Sequence, residues 1–213
     1  MRTNLTPDML LAAYAGGIFP MAEHRGDSEL FWVDPRQRGV LPLNNFHISR
    51  SLAKTLRSGR FKVTYDADFR AVVDGCADRD ETWINTDLAR LYNQLHLAGM
   101  ARSIEVWEEA ALVGGVFGIT LGAAFFGESM FSRRKDASKV ALAYLVDRLI
   151  HGGFTLFDTQ FITPHLSSLG GVEVPRTAYR KMLDAALPLK ADFDRQDVIP
   201  DAYSLLQRNA QTS

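Results

Sequence analysis

Two polar residues, Asp158 and Gln160, interrupt the largely apolar segment Phe154–Phe161. Side chains alternate between the two faces of a β-strand, so a strand here would place the carboxylate and the amide on one face. Burying such a pair is costly unless both groups are hydrogen-bonded. Two interpretations follow: a polar strand edge that faces water, or a pair that orients the amine or the ester of a substrate.

A second candidate acid is Glu128, which follows the predicted strand 123–126 at Gly127. A glycine at this point would allow the carboxylate to project from the end of a sheet. The alternative is a solvated carboxylate in a turn, because residues 127–135 read as a polar segment.

Several common chemistries are excluded by what the sequence lacks. It has one cysteine, Cys76, and five histidines without metal-ligand spacing or a serine or cysteine partner: His24, His47, His96, His151 and His165. These residues predict neither a zinc site nor a nucleophilic triad. The phosphate-binding patterns G-x-x-x-x-G-K-[ST] and G-x-G-x-x-G are absent. We therefore expect chemistry without a metal, ATP or another cofactor.

Positive charge is concentrated in one part of an almost neutral chain. The 24 basic and 25 acidic residues exclude a globally basic nucleic-acid binder, but not a local binding surface. Residues 36–65 contain no acid and seven basic residues: Arg36, Arg38, Arg50, Lys54, Arg57, Arg60 and Lys62. In a helix capped by Ser49, the positions 50, 54 and 57 share one face, which could neutralise phosphates or simply be solvated. A second, weaker cluster comprises Arg133, Arg134, Lys135 and Lys139.

The composition and the hydrophobic pattern are those of a globular protein. The 213 residues are 46% hydrophobic and 23% charged, which excludes a disordered or coiled-coil chain. The first residues lack the features of a secretory signal, so we expect a cytoplasmic location. Residues 110–127 carry no charge, but their five glycines favour two buried strands and a turn over a membrane span.

The elements that would position these residues can be predicted from caps and periodicity. Helix starts are indicated at Thr6-Pro7, Ser49, Asp68, Thr86, Asp136, Thr163-Pro164 and Pro175. Strands are predicted at 61–65, 103–106, 111–121, 123–126 and 154–161, irregular backbone at 18–45, and a peripheral tail after Pro188. Antiparallel strands followed by a helix, a strand and a helix predict an α+β fold with a mixed sheet.

The chain resembles the bacterial leucyl/phenylalanyl-tRNA–protein transferases. The resemblance covers about residues 5–187, and its most specific part is the spacing of GESMFSR, ASK and D-x-Q. The matching segments are GIFP at 17–20, WVDPR at 32–36, HISRS at 47–51, TWI at 82–84, SIEVW at 103–107, GESMFS at 127–132, ASK at 137–139, and Asp158 with Gln160.

This resemblance implies a small N-terminal domain at 1–60 with the basic helix, an acyltransferase-like domain at 61–190 and a polar tail at 191–213. The implied catalytic domain has the fold of the GCN5-related acetyltransferases, a mixed sheet flanked by helices. The implied activity moves Leu, Phe or, less well, Met from aminoacyl-tRNA to the N-terminal Arg or Lys of a protein, which marks that protein for degradation. The expected partners are aminoacyl-tRNA and acceptor proteins, not DNA or a membrane.

Residues matching the family's functional positions follow from the same resemblance. The catalytic residues would be Gln160, Asp158 and Glu128. The terminal adenosine would lie near Trp83 and Met21, the latter at a position where many members carry tryptophan. The aminoacyl side chain would occupy an apolar pocket formed by Val116, Phe125, Phe131, Leu142, Leu145, Leu149 and Phe157. We expect the tRNA backbone to contact the basic residues Arg50, Lys54, Arg57, Arg60 and Lys62.

This chemistry is physically reasonable for these residue types. An aminoacyl ester is already activated, so the enzyme mainly positions two reactants, an effect that can reach about 7–11 kcal/mol. Gln160 is too weak a base to deprotonate an ammonium. We expect it to orient the amine as an acceptor, with Asp158 behind it as the proton carrier and Glu128 holding the amine or the cationic side chain of the acceptor.

Two other functions remain possible from the residues alone. An acetyl-CoA-dependent N-acyltransferase would need a glycine-rich turn of the R-x-x-G-x-G/A type, but residues 127–135 have no glycine after Gly127. A non-catalytic tRNA-binding module would not need Asp158, Gln160 and Glu128.

Overall fold

The structure is a computed structural model that describes residues 5–27 and 29–212. What the sequence suggested about residues 1–4 lies outside this range. The helices are α1 (Pro7–Ala15), α2 (Arg50–Arg57), α3 (Phe69–Ala77), α4 (Thr86–Leu97), α5 (Ala137–Gly152), α6 (Pro164–Ser167), α7 (Arg176–Ala186) and α8 (Ala202–Thr212), with a 3-10 turn at Leu43–Asn45. The predicted helix starts are confirmed to within one residue.

The strands are β1 (Phe19–Met21), β2 (Phe31–Val33), β3 (Gln37–Val40), β4 (Lys62–Tyr65), β5 (Ala101–Glu108), β6 (Ala111–Leu121), β7 (Ala124–Ser132), β8 (Leu156–Gln160) and β9 (Val172–Pro175). In the described part of the chain they form a β1–β2 hairpin and a seven-stranded sheet of order β4-β5-β6-β7-β8-β3-β9. Strands β7 and β8 are parallel, joined by α5, and the other neighbours are antiparallel. The predicted α+β fold with a mixed sheet is confirmed.

Helices cover both faces of this sheet. The long helix α5 is apolar almost all round and is buried on one face, where α2 contributes Leu52 and Leu56 and α8 contributes Leu205. Helices α1, α3, α4 and α7 cover the other face, with Tyr14 and Tyr179 fully buried among them. Each fully buried large apolar side chain stabilises the fold by about 1.5–3 kcal/mol relative to exposure.

Caps explain why the helices begin where they do. The side chains of Thr6, Ser49 and Thr163 each accept a hydrogen bond from a backbone N–H in the first helical turn. Helix α4 begins at the predicted Thr86, but the capping side chain is that of Asn85. An oxygen at this position satisfies a donor that has no partner inside the helix.

Three predictions about the elements are wrong. Residues 18–45 are not irregular throughout, because Gln37–Val40 lies in the main sheet between β8 and β9. The strand predicted at 123–126 continues as β7 to Ser132. The segment after Pro188 is not peripheral, since Phe193 and Leu205 are buried in the core on α5. Short or polar segments of this kind carry little periodicity, and pairing with distant strands decides their structure.

The division into domains at residues 60 and 190 stays a prediction. The structure adds that β3, from the 1–60 segment, shares a sheet with strands from 61–190. No helix within residues 5–27 and 29–212 is long and apolar enough to cross a membrane.

Candidate active site

A cavity of about 780 Å³ opens where β7 and β8 separate. The parallel pairing of these strands ends at Phe126 and Asp158. The residues that follow on each strand, from Gly127 on β7 and from Thr159 on β8, line the cavity. Both strands are anchored in the core, so side chains from two rigid elements meet across this opening.

The cavity brings together many of the residues that the sequence singled out. Those that line it are Glu128, Gln160, Met21, Trp83, Val116, Phe131, Leu142 and Phe157. The remaining three residues predicted for the apolar pocket, Phe125, Leu145 and Leu149, are buried in the core and are not among the residues that line this cavity. The ring of Phe125 packs edge-on against Phe157 at 5.3 Å, so Phe157 forms the wall and Phe125 supports it.

Glu128 reaches the cavity from a β-bulge rather than from the end of a strand. The register of β6 and β7 shifts between Phe117 and Gly118, which pair with Ser129 and Gly127 and leave Glu128 without a partner residue. Such an extra residue bends the strand and redirects a side chain. A Cβ at Gly118 would lie 2.3 Å from the carbonyl oxygen of Phe126, so only glycine allows the backbone to approach this closely.

The Glu128 carboxyl group has an unusual protonation equilibrium. Burial raises the pKa of Glu128 to about 7, and the nearby hydroxyls of Tyr14 and Tyr92 favour the charged form without cancelling that effect. The Tyr92 hydroxyl donates to Oε2 at 2.8 Å. A carboxyl group that titrates near neutral pH and lines a cavity is suited to proton transfer.

Gln160 contacts Glu128 from the end of β8. Its side-chain Nε2 lies 3.4 Å from Oε1 of Glu128 and donates to it. The amide nitrogen is thereby turned toward the carboxylate, and the carbonyl oxygen of the same amide is left as an acceptor. Gln160 has a positive φ of 58°, a left-handed conformation that costs about 1–2 kcal/mol for a residue other than glycine. The surrounding structure must therefore hold this residue in place.

Asp158 supplies part of that support and is itself fully buried. Its Oδ1 accepts from the backbone N–H of Gln160 at 2.9 Å and from Arg38 Nε at 2.9 Å. Its Oδ2 accepts from Arg38 Nη2 at 2.6 Å and from the Tyr179 hydroxyl at 2.8 Å. The carboxylate is 0% exposed and does not line the cavity. The interpretation of this segment as a polar strand edge that faces water is therefore wrong for Asp158.

Arg38 is held as firmly as the carboxylate that it binds. Its guanidinium lies between the rings of Phe19 and Tyr179, at 4.6 and 4.4 Å from their centroids. It also donates to the carbonyl oxygen of Gly17 at 3.1 Å. This arrangement uses both oxygens of Asp158 as acceptors within the protein and keeps the carboxylate away from the cavity.

Comparison with known proteins agrees with this architecture. The model of the leucyl/phenylalanyl-tRNA protein transferase family matches residues 40–184, and the model of the N-terminal domain of that family matches residues 3–36. The chain belongs to the leucyl/phenylalanyl-tRNA protein transferase family. The transferase of that name from Cereibacter sphaeroides (strain ATCC 17025) is 62% identical over 209 residues, covering 98% of each chain. The one from Ruegeria sp. (strain TM1040) is 60% identical over 210 residues, covering 99% of this chain and all of the other.

A solved structure shows that the fold extends beyond this transferase family. The crystal structure of FemX aligns with a TM-score of 0.51 at 11% sequence identity, covering 82% of this chain and 68% of FemX. At this identity the likeness concerns the fold alone, and it agrees with a mixed sheet flanked by helices.

The basic helix of this family member lies beside the cavity. Thr55 of α2 donates to Asp136 at 3.1 Å, directly before α5, whose first turn contains the cavity residue Ser138. On the opposite face of α2, Leu52 and Leu56 are buried. The exposed side chains of α2 include all three of the predicted basic residues on its outer face: Arg50, Lys54 and Arg57.

Two other residues of the basic segment are less available to phosphates. Arg60 pairs with Glu108 at 2.6 Å. Residues 36–65 contain no acid, but this acid from another segment neutralises one of their arginines. Arg38 is buried on Asp158. Lys62 is exposed on the edge strand β4.

Sequence reasoning missed several residues that shape the site of this transferase family member. Tyr14, Tyr92 and Tyr179 belong to none of the motifs that the sequence analysis singled out, yet all three surround the two carboxylates. A buried acid on an apolar strand requires a cation or several donors. This requirement was the available signal for Arg38, but the sequence does not say which arginine meets it.

Proposed function

We propose that this chain transfers leucine or phenylalanine, and methionine less well, from aminoacyl-tRNA to the α-amine of proteins that begin with Arg or Lys. The new N-terminal residue would mark those proteins for degradation. Family membership supports the reaction. The observation that carries the proposal is the contact between Gln160 and Glu128 in the cavity wall, where an amide acceptor and a carboxyl group with a pKa of about 7 meet.

This contact explains how an ammonium group becomes a nucleophile. The Gln160 carbonyl oxygen accepts a hydrogen bond from the incoming amine and aims its lone pair at the ester carbon. Glu128 takes the proton, because its pKa of about 7 lies close to the ordinary value of about 8 for an α-amine. The carbon–nitrogen bond forms and the carbon–oxygen ester bond breaks. The ribose oxygen leaves as a hydroxyl, with the second proton that the attacking nitrogen loses as the amide forms.

We infer that proton transfer and positioning belong to different carboxylates. Asp158 was expected to carry the proton, but its four hydrogen bonds and its pairing with Arg38 make it a positioning residue that holds the backbone of Gln160. Glu128, which lines the cavity, is the base.

The walls of the cavity account for the two substrates. Val116, Leu142 and Phe157 offer an apolar surface to the leucyl or phenylalanyl side chain, which gains about 25 cal/mol for each Å² removed from water. Glu128, when ionised, attracts an acceptor whose first side chain is cationic, an interaction that strengthens in a partly buried site.

The proposed function is tested by incubating the protein with Leu-tRNA and peptides that differ at the first residue. We expect mass spectrometry to show one added leucine on a peptide that begins with Arg and none on the same peptide beginning with Ala. An Nα-acetylated Arg peptide is the control, since it keeps the cation and lacks the amine. Equal modification of the Arg and Ala peptides would contradict the proposed acceptor class, and no modification of either would contradict the reaction.

The pH dependence of transfer should report Glu128. With the donor saturating, kcat/KM for the Arg peptide should rise through an inflection near pH 7, because Glu128 can accept a proton only after it has lost its own. The variant Glu128→Gln should lose this inflection and keep the one near pH 8 that belongs to the amine. Asp78→Asn, at another carboxylate of the cavity, should retain both. An unchanged profile in Glu128→Gln would remove Glu128 as the base.

The exposed basic face of α2 predicts a specific salt response. Replacing Arg50 and Lys54 together by Ala should weaken binding of Leu-tRNA and reduce the slope of log affinity against log salt by about two, since each phosphate contact contributes about 0.9. The matched control replaces two exposed lysines on other segments, Lys181 and Lys190. A filter-binding titration between low and moderate salt measures the affinity for Leu-tRNA and its dependence on salt. An unchanged slope would exclude α2 from the interface.

A further inference from the structure

The cavity carries its charges at two separate places. Glu128 lies beside Gln160, where the amine is proposed to react. A second set of charged side chains lies on the connection between α3 and α4 and at the end of β7. Among the described residues that line the cavity, Arg79 and Arg133 are the only arginines or lysines, and Asp78 lies with them. The proposed reaction centre needs no cation, so this pair of arginines is not explained by the transfer step.

Arg133 presents its guanidinium in a form that an anion can use. The group lies 5.1 Å from the centroid of the Phe131 ring, and Phe131 itself lines the cavity. Stacking on an aromatic face orients the planar donor group. Its Nη2 is 3.0 Å from Asp78 Oδ2, but the two side chains are 48% and 72% exposed. Exposed ion pairs of this kind contribute little to stability, so a phosphate can replace Asp78 as the partner of Arg133.

Arg79 is anchored close by. Its Nη2 donates to the backbone carbonyl of Met130 on β7, and its own carbonyl oxygen accepts from Arg25. Trp83, in the same connection between helices, lines the cavity as well. Two cations and an indole ring thus occupy one wall, a combination that suits a nucleotide because the ring stacks on a base and the arginines bind a phosphate.

We propose that Arg133, together with Arg79, binds the phosphodiester group that joins the terminal adenosine of the donor tRNA to the preceding nucleotide. This inference rests on the proposed function, because it needs the aminoacyl ester at Glu128 and Gln160. The chain runs five residues from Glu128 to Arg133, about 16 Å if extended, and the guanidinium folds back over Phe131. Arg133 and Glu128 therefore line the same cavity at separate places, so a donor whose ester lies at Glu128 can direct its phosphate toward Arg133.

The test compares two small donors, leucyl-adenosine and leucyl-CpA, the second of which adds a cytidine joined through the phosphodiester. Arg133→Gln should lower kcat/KM for leucyl-CpA about tenfold or more, since hydrogen bonds to charged groups contribute about 1.5–3 kcal/mol. It should change the value for leucyl-adenosine less than about twofold, because that donor has no phosphate. Arg134→Gln is the matched control: Arg134 is the next residue, pairs with Glu108 at 2.9 Å and does not line the cavity.

Binding measurements separate this inference from the proposed function. Calorimetry with CpA and adenosine, neither of which can be transferred, should show a loss of affinity in Arg133→Gln for CpA alone. Equal affinities of wild type and variant for CpA, or equal losses for CpA and adenosine, would overturn the phosphate site. Failure of the wild type to transfer leucine from Leu-tRNA would instead overturn the proposed function.

Discussion

Asp158→Asn should slow single-turnover transfer about a hundredfold and leave the affinity for Leu-tRNA almost unchanged. The substitution removes the charge that binds Arg38 and weakens the acceptor for the backbone N–H of Gln160. Gln160 then relaxes from its left-handed conformation, and a misplacement of about 1 Å can cost about 10²-fold in rate. The α2 face does not depend on this contact. Rapid-quench transfer and filter binding on the same preparation measure the two quantities.

The buried ion pair of Arg38 and Asp158 predicts a large effect on stability. Breaking a buried ion pair from one side costs about 3–5 kcal/mol, because the other charge is left buried without a partner. Arg38→Met and Asp158→Asn should therefore each lower the free energy of unfolding by this amount. The double variant should lose less than the sum of the two single variants. Additive losses in denaturant titrations would mean that the two side chains do not act as a pair.

For the transfer experiment with Asp158→Asn, a loss of tRNA affinity in proportion to the loss of rate would contradict its role as a positioning residue.

Glu128→Gln should also lower activity, but, unlike Asp158→Asn, it should raise the stability of the protein. Removal of a general base typically costs about 10²–10⁴-fold in rate. The folded-state pKa of Glu128, about 7, lies above its ordinary value of 4.5. The folded state therefore loses stability as the pH rises from about 4.5 to about 7, where the unfolded chain ionises first. Glutamine avoids this penalty, so unfolding at pH 8 should cost about 1–3 kcal/mol more than in the wild type.

Chemical denaturation at pH 4 and pH 8 checks the sign of this effect. The difference between Glu128→Gln and wild type should be present at pH 8 and should largely disappear at pH 4, where Glu128 is protonated in both states. Asp78→Asn, at an exposed cavity residue, should show no such difference. A stabilisation that is equal at both pH values would contradict the raised pKa.

Elements with strong local signals were predictable from the sequence. Thr6, Ser49 and Thr163 cap their helices because an oxygen side chain at that position binds the first free N–H groups. The apolar run of α5 required a buried helix. Strand β3 could not be predicted in this way, because Gln37–Val40 pairs with β8 and β9, which are distant in the sequence.

The candidate site was predictable in its membership but not in its arrangement. Asp158, Gln160 and Glu128 stand out because polar groups on apolar strands require an explanation. Strand alternation says nothing of a bulge, so the position of Glu128 within β7 could not be derived. The partner of Asp158 lies 120 residues away in the sequence, and only the fold decides whether an acid is an anchored support or a titrating base.

The central claim, that Gln160 and Glu128 receive the acceptor amine, is tested most directly by Gln160→Ala. The measurement is the single-turnover rate of leucine transfer from saturating Leu-tRNA to an Arg peptide, with the Kd of the donor determined alongside. We expect the rate to fall about a hundredfold while the Kd stays within about twofold, since the amide contacts the acceptor and not the tRNA. A rate equal to that of the wild type would contradict the account.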